Sequence, residues 1–352
     1  MPASNRPHDV RIKVNGADLP QAALDDLQSV QVHEDLDAPS MFSLILYNWD
    51  PAKLEFTWSD DRLFAPGNEV EVWLGYVDQL KKVMLAEITS LEPSFQADAA
   101  PTLTVRGYDH RHRLLRGSRT RSFTKMKDSA IASQIATGAG LAAKVADSKV
   151  THEYVLQNNQ SDLDFLQDRA ARIGYDVFVQ DKVLYFQPRQ NAAKATVTLA
   201  LGDDLIDFQP RLTTVPQVGE VAVRGWDVAK KTVFIGHARP GNESSMMGGT
   251  TSGPSLANRA FGKASLVRAD LAVTTKADAD QMAVGQFNAM ALSHISGEAV
   301  CYGRTDLRAG IVVNIKGAGT AFSGLYFVNT VTHSVTEDAG YRTTFSVRRN
   351  AS

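Results

Sequence analysis

The sequence predicts a mainly β protein with α+β insertions, organised as two tandem antiparallel β-barrels separated by a small α/β module. Three observations carry that prediction. Short runs of alternating apolar and polar residues, bounded by Gly, Asn, Asp and Pro, fill both ends of the chain. Helical spacing with capping signals is confined to the middle and to one later stretch. Blocks of the N-terminal part recur in the C-terminal part in the same order.

Residues 1–118 form the first predicted barrel domain. Residues 9–16 alternate and then reach Asn15-Gly16, a strand entering a hairpin turn. Residues 27–33 and 41–49 follow as strands, the second rich in β-formers from Met41 to Trp49. Pro66-Gly67-Asn68 marks a turn, and Glu69 to Val77 opens with strict alternation, which requires one buried face. Strands at 83–91 and 102–108 complete a set whose spacing fits a barrel or a sandwich.

Residues 119–190 read as the α/β module. Asp128 is placed to cap a helix through Ala130, Ile131, Ile135 and Ala136, closed by Gly138 or Gly140. Ser161-Asp162-Leu163-Asp164 has capping-box spacing ahead of Phe165, Leu166, Ala170 and Ile173, with Gly174 as the stop. A hairpin through Gln180-Asp181-Lys182 ends the module.

Residues 191–352 form the second predicted barrel domain, with a loop-helix insertion around 239–295. Strands are expected at 195–200, 205–212, 219–227 and 231–236, then at 298–304, 311–316, 324–333 and 341–348. Gly, Ser, Thr and Met crowd 239–256, the composition of a mobile loop. Residues 276–294 fit a helix with Ala283, Phe287, Met290 and Ala291 near one face, Asp278 and Asp280 in its first turns and Gly297 as the stop.

The repeat is read from four ordered pairs of blocks. Trp49-Asp50-Pro51-Ala52-Lys53 matches Trp226-Asp227-Val228-Ala229-Lys230, and Leu27 to Gln31 matches Leu205 to Gln209 with one residue of slippage. Leu63 to Gly67 followed by Val70 matches Leu307 to Gly310 followed by Val312, and Thr102 to Arg106 matches Thr344 to Arg348. Two copies of one domain per chain let a trimer present six similar domains in a ring while keeping true three-fold symmetry on its other side.

Composition excludes several classes. The 352 residues have room for two or three domains, and 43% hydrophobic with 22% charged residues excludes disordered and collagen-like chains. With 37 basic against 39 acidic residues there is no positive field to recruit phosphate, so no nucleic acid partner is expected. Cys301 is the single cysteine, which excludes an internal disulfide and a thiolate metal cluster. The first ten residues lack an apolar signal region and no run of about eighteen apolar residues exists, so synthesis in the cytoplasm and no membrane span are expected.

No catalytic constellation stands out, and no metal or cofactor is expected. His110 and His112 in Asp109-His-Arg-His-Arg113 would share one strand face, but no third ligand is near in sequence. Arg106, Arg111, Arg113, Arg116, Arg119 and Arg121 make that region basic, which suits a solvated edge or a contact with acidic loops of a neighbour. Asp60-Asp61 and Asp203-Asp204 are adjacent pairs at predicted turns, whereas glycosidase carboxyls flank a bond from opposite sides. There is no Gly-x-Ser-x-Gly elbow; Gly317-Ala-Gly-Thr320 lacks the ending of a phosphate loop; His294 sits near a helix end; and Cys301 reads as a small core residue.

The stretch Tyr154-Val-Leu-Gln-Asn-Asn-Gln-Ser-Asp-Leu-Asp-Phe-Leu-Gln-Asp-Arg-Ala-Ala-Arg-Ile-Gly-Tyr175 resembles the Gln-x-x-x-Ser-Asp-x-x-Phe-x-x-x-Arg…Gly block of the phage late control gene D proteins and of the base domain of VgrG spikes. The helix from Lys127 and the last strand, Gly340-Tyr-Arg-Thr-Thr-Phe-Ser-Val-Arg-Arg349, are similar to the family as well, so the resemblance covers nearly the whole chain.

The resemblance implies tail-tube-like barrels and a non-enzymatic hub of a phage tail or contractile injection system. It implies a homotrimer that joins a hexameric tail tube to a spike, with baseplate wedge proteins around it, assembled in the bacterial cytoplasm and then carried in the particle. Nothing like a needle or effector follows Arg349, so the spike is expected as a separate chain. The alternatives are the base of a type VI VgrG-like spike and a peptidoglycan-degrading hub. Candidate subunit or partner contacts are Arg106, His110, Arg111, Arg113 and Arg116, with Met246 and Met247 in a loop that adapts to a partner.

Overall fold

The alternating segments of both chain ends join one open sheet, while the middle of the chain folds beside it. The computed structural model describes residues 7–227 and 230–352. The N-terminal set comprises β1 (His8–Val14), β2 (Ala17–Asp18), α1 (Gln21–Asp25), β3 (Leu27–Asp35), β4 (Met41–Tyr47), β5 (Glu69–Tyr76), β6 (Lys81–Ser94) and β7 (Thr102–Tyr108). Then come α2 (Arg111–Leu114), β8 (Arg119–Lys127), α3 (Asp128–Gly138), β9 (Ala142–Val145), β10 (Thr151–Gln160), α4 (Asp162–Ile173), β11 (Tyr175–Gln180) and β12 (Val183–Pro188). The remainder holds β13 (Val197–Ala200), β14 (Leu205–Leu212), β15 (Glu220–Asp227), β16 (Thr232–Ala238), α5 (Gly253–Phe261), β17 (Ser265–Arg268), α6 (Lys276–Ala291), β18 (Ile295–Tyr302), β19 (Val312–Lys316), α7 (Gly319–Phe322), β20 (Gly324–Thr336) and β21 (Gly340–Arg349).

The fold is mainly antiparallel β with few helices. Thirteen strands share one sheet in the order β14-β18-β21-β20-β3-β4-β7-β6-β5-β1-β2, with β19 on β20 and β13 on β19. The order β3-β4-β7-β6-β5 of the N-terminal set is repeated as β14-β18-β21-β20-β19. The ladder ends at β14 and at β2, so among the described residues no closed barrel exists, and the expectation of closed barrels is corrected to curled, open strand sets. The sixth strand also breaks the repeat: β1 runs antiparallel to β5, but β13 runs parallel to β19.

The bulges coincide in the two sets. Register shifts fall between Leu27 and Ser29 and between Leu205 and Asp207, then between Ile88 and Ser90 and between Val328 and Thr330. A bulge inserts one extra residue and bends its strand, so a bulge at the same place in both sets is a register mark. Superposing these marks matches Leu27 with Leu205 without slippage, Ser90 with Thr330, and Arg106 with Ser346. The echo of Thr102–Arg106 in Thr344–Arg348 is therefore two residues out. Trp49 lies in the loop after β4, whereas Trp226 belongs to β15 in a different sheet, and Val228 and Ala229 of that block lie outside the described residues.

Each set covers its own core. Val30, Val32, Phe42, Leu44, Val70, Val72 and Val105 are buried in the N-terminal one, and Ile295, Ala299, Val313, Val328, Phe345 and Val347 in the C-terminal one. Cys301 lies inside the second core, where burial pushes its thiol up to about 12. The module has a third core around Ile131, Ile135, Phe165 and Leu166. Ser161 caps α4 by accepting the Asp164 N–H at 3.1 Å, and Gly174 ends it at φ 70°, as the sequence predicts. Asp128 is not the cap of α3. Lys127 occupies that position, and Asp128 turns inward to Arg169 Nε at 2.6 Å and His152 Nε2 at 3.3 Å.

Other expectations change in the stretch between β14 and β18. β15, β16 and β17 form a sheet of their own, and α6 packs against it through Ala279, Met282, Ala283 and Phe287. These strands do not join the large sheet. Thr275 caps α6 by accepting the Asp278 N–H at 3.1 Å, but the helix ends at Ala291 and Gly297 lies inside β18. The segment 239–256 is pinned: Met247 is 1% exposed, Thr250 and Thr251 donate backbone bonds to the Ser352 carbonyl, and α5 starts within it.

Helices α4 and α6 touch where Gly285 meets the end of α4. A Cβ at Gly285 would lie 2.7 Å from the Arg172 carbonyl oxygen and 2.8 Å from the Gly174 nitrogen. Gly285→Ala is expected to push the helices apart and lower stability by about 1–3 kcal/mol. Thermal unfolding would show this as a lower Tm, and an unchanged Tm would refute the tight approach.

Candidate assembly interface

A bend in β20 joins the two strand sets. Its first residues pair with β19, from Gly324 opposite Ile315 to Phe327 opposite Val312. Its later residues pair with β3 along the same edge, from Thr330 opposite Asp35 to Thr336 opposite Ser29. His33 Nδ1 and Thr332 Oγ1 add a side-chain bond of 2.8 Å across this junction. On the core side Val335 and Tyr341 of the second set enter the core of the first.

A loop from the second set locks the junction. Arg308 Nε donates to Glu34 Oε1 at 2.5 Å and its Nη2 to the Val83 carbonyl at 2.8 Å, while the Ala309 N–H donates to Glu34 Oε2 at 3.0 Å. The Tyr76 hydroxyl donates to the Gly303 carbonyl at 3.0 Å. Burial raises the Glu34 carboxyl above its ordinary range, against the pull of the Arg308 charge.

Beside this lock lies a cavity of about 390 Å³ bounded by both sets and the β11–β12 hairpin. Its charged walls are paired: Arg111 with Asp109, Arg308 with Glu34, Lys82 with Asp181, and Asp176 with Arg189. That pattern suits a structural seam. Among the described residues no group of three or more His, Cys, Asp or Glu side chains is placed to hold a metal, and no helix is long and apolar enough to cross a membrane.

The expected contact residues separate by burial. Arg111 is 1% exposed and faces inward, its guanidinium on both Asp109 oxygens, the Asp35 and Leu36 carbonyls and Ser40 Oγ. His110 is 2% exposed, and burial lowers its pKa against the pull of Glu87. His110 and His112 do not share a strand face, because α2 begins between them. The basic cluster is thus partly interior, since Arg111 serves as a bidentate strut where sequence alone read a solvated edge. Arg113 pairs with Glu87, Nε to Oε2 at 2.7 Å, and Arg116 is exposed. Met247 packs with Leu36, Leu292, Val312 and Phe327, and Met246 beside it is half-buried. His294 is buried, its pKa lowered by burial, with Nδ1 at 3.1 Å from the Thr213 carbonyl; it carries no charge for a helix dipole.

Arg106 sits on an extended polar face. Across β3, β4, β7 and β6 that face carries Ser29, Gln31 and His33, then Met41, Ser43 and Ile45, then Thr104 and Arg106, then Ser90 and Glu92. Across β20, β21, β18 and β14 it carries Thr332 and Ser334, then Thr344 and Arg342, then Glu298, Val300 and Tyr302, then Asp207, Gln209 and Arg211, so these positions are polar in the main with four apolar members. Arg106 Nε bonds Glu92 Oε2 at 3.1 Å on it.

Two of the strand edges left open among the described residues border this face. β14 pairs only with β18, and β6 beyond Ile88 pairs only with β7. Sequence reasoning missed both, although a signal was present: Pro93 and Pro210 stand inside strands, and proline without an N–H is confined to sheet edges. The Gln157–Gly174 block is structural throughout. Gln157 Nε2 bonds Asp162 Oδ1 at 2.9 Å, Asp162 pairs with Arg121, Phe165 is core, and Arg169 holds Asp128.

The 43 kDa tail protein of prophage MuSo2 from Shewanella oneidensis is 14% identical, with a TM-score of 0.72 over 97% of this chain and 98% of that one. The tail protein from Neisseria meningitidis MC58 is 13% identical, with a TM-score of 0.69 over 97% and 96%. The E. coli c3393 protein, described as a type VI secretion component similar in structure to the T4 tail proteins gp27 and gp5, is 13% identical, with a TM-score of 0.59 over 97% and 77%. The fold is thus that of phage tail proteins, in agreement with the late control gene D and VgrG resemblance. The chain belongs to the family described as the Alg8 N-terminal domain, which matches residues 4–337. No curated protein matches the sequence.

Arg308→Ala leaves Glu34 buried without its charge partner, which costs about 3–5 kcal/mol where the carboxyl is ionised. The folded pKa of Glu34 is already above its unfolded value, and the variant raises it further. A raised carboxyl pKa favours the fold below the unfolded pKa, and that contribution is lost as pH rises through the folded one. Urea unfolding is therefore expected to show a larger deficit at pH 8 than at pH 5, and an equal deficit at both would refute the assignment.

Proposed function

We propose that the chain is the structural hub of a contractile injection machine baseplate, a homotrimer that adapts a hexameric inner tube to a trimeric spike. Each chain contributes two tube-like domains built on open strand sets, 1–118 and 191–352, around the module 119–190, with a loop-helix insertion near 239–295. The observation that carries the reading is the repeated strand order within one sheet. The two sets follow one another with the same strand directions, so repeating the step from one to the next in further copies generates a ring when the rotation closes.

The polar face supports a lumen wall, since a channel that passes cargo cannot present a sticky apolar surface. The relatives support the class: two are named tail proteins, and a third is described as a type VI component. Arg106, Arg113, Arg116 and Met246 remain the accessible members of the expected contact set. The partners in this reading are a separate spike protein, the tail tube and the baseplate wedge, in a particle assembled in the bacterial cytoplasm. The likeness to c3393 favours one second reading, the base of a type VI VgrG-like spike.

Light scattering over a dilution series, with and without the spike protein, tests the ring. A mass of three times 38.3 kDa is expected. A dimer or tetramer that persists with spike present would overturn the reading.

A further inference from the structure

The seam between the two strand sets within one chain is a template for the seam between two chains. β20 receives β3 along the edge beyond its bulge. By the bulge match, the equivalent of that edge in the first set is β6 beyond Ile88, and the equivalent of β3 in the second set is β14. Both are open edges of the large sheet. Exposed edges invite pairing with another chain, and here each edge has its complement at the opposite end of the same molecule.

We infer that the distal half of β6 in one copy pairs antiparallel with β14 of a second copy, in the register that β20 and β3 display. This rests on the trimeric ring proposed above and supplies its residue pairing. Transferring the rungs Val331–Glu34, Thr332–His33, His333–Val32 and Ser334–Gln31 gives Leu91 opposite Leu212, Glu92 opposite Arg211, Pro93 opposite Pro210 and Ser94 opposite Gln209.

The chemistry of those rungs matches. Leu212 is 38% exposed within one chain, and the pairing sets it against Leu91, which packs on the first core. Glu92 meets Arg211 at the rung where the internal seam has the His33–Thr332 bond. Opposite charges on facing strands favour the pair, and like charges oppose it. The two prolines fall on one rung, so the loss of their donors is confined to that rung. A shift by one residue would place Leu91 against Arg211 and turn each strand's core side chains onto the polar face.

Crosslinking with a short bismaleimide tests the register, with mass measured in parallel on the same samples. Cys301 is buried, and its thiol is held protonated by that burial, so it is expected to stay unreacted under native conditions. Chains carrying Leu91→Cys with Leu212→Cys are expected to give covalent dimers and trimers on denaturing gels. Leu91→Cys with Phe208→Cys, four rungs away on the same face, is expected to give at least tenfold less. A trimer by mass in which the second pair crosslinks as well as the first, or neither does, overturns the register and leaves the ring intact. Absence of a trimer for the unmodified chain, with and without spike, overturns the ring and the register together.

Discussion

The fold depends on one constraint: a strand edge must find a partner, and β20, paired with β21 on one edge, is too bent to keep a single partner along the other. Its first residues stay with β19, and the bulge near Asn329 turns the remainder away. That frees a row of N–H and C=O groups which β3 fills. Each hydrogen bond is worth only about 0.5–1.5 kcal/mol net, so the ladder alone is a modest tie. Its strength comes from what it aligns: Val335 and Tyr341 reach the first core, and Arg308 reaches Glu34. Two strand sets distant in sequence become parts of one sheet.

The same constraint explains the placement of charge. Sheets that meet edge to edge leave corners where loops converge, and the buried polar groups there need partners. Arg111 fills one such corner by bonding Asp109 and the carbonyls of Asp35 and Leu36, and Arg308 fills another. A guanidinium suits this task because its planar fork reaches several acceptors at once. The arginine-rich segment after β7 is in part internal scaffolding, and it seats the module against the first set.

Much of this was legible in the sequence, and the failures have identifiable causes. Alternation of period two marked β1 and β5, and the Ser161–Asp164 box with Gly174 bounded α4. These signals are local, because side-chain direction and backbone capping are settled within a few residues. The Leu27–Leu205 match was legible for the same reason, since both strands carry the same bulge after the same leucine. The Thr102 block failed because alternating Thr and Val look alike after a two-residue slip. Arg111 and Met247 were misplaced because burial of a charge or an order in a Gly-rich loop depends on partners far along the chain, such as Leu36 and Ser352.

By itself the sequence determined the class of elements, their order and the duplication, because periodicity and turn chemistry act over short distances. It also determined that the middle of the chain has a helix capped by Ser161 and ended by Gly174. Only the tertiary structure decided which strands become neighbours: that β15 and β16 leave the large sheet, that β20 bridges to β3, and that β6 and β14 are left open. The reason is physical. Every strand offers the same backbone hydrogen bonds along both edges, so its own residues do not specify its partner. The choice falls to bulges, bends and the packing of side chains brought together from distant parts of the chain.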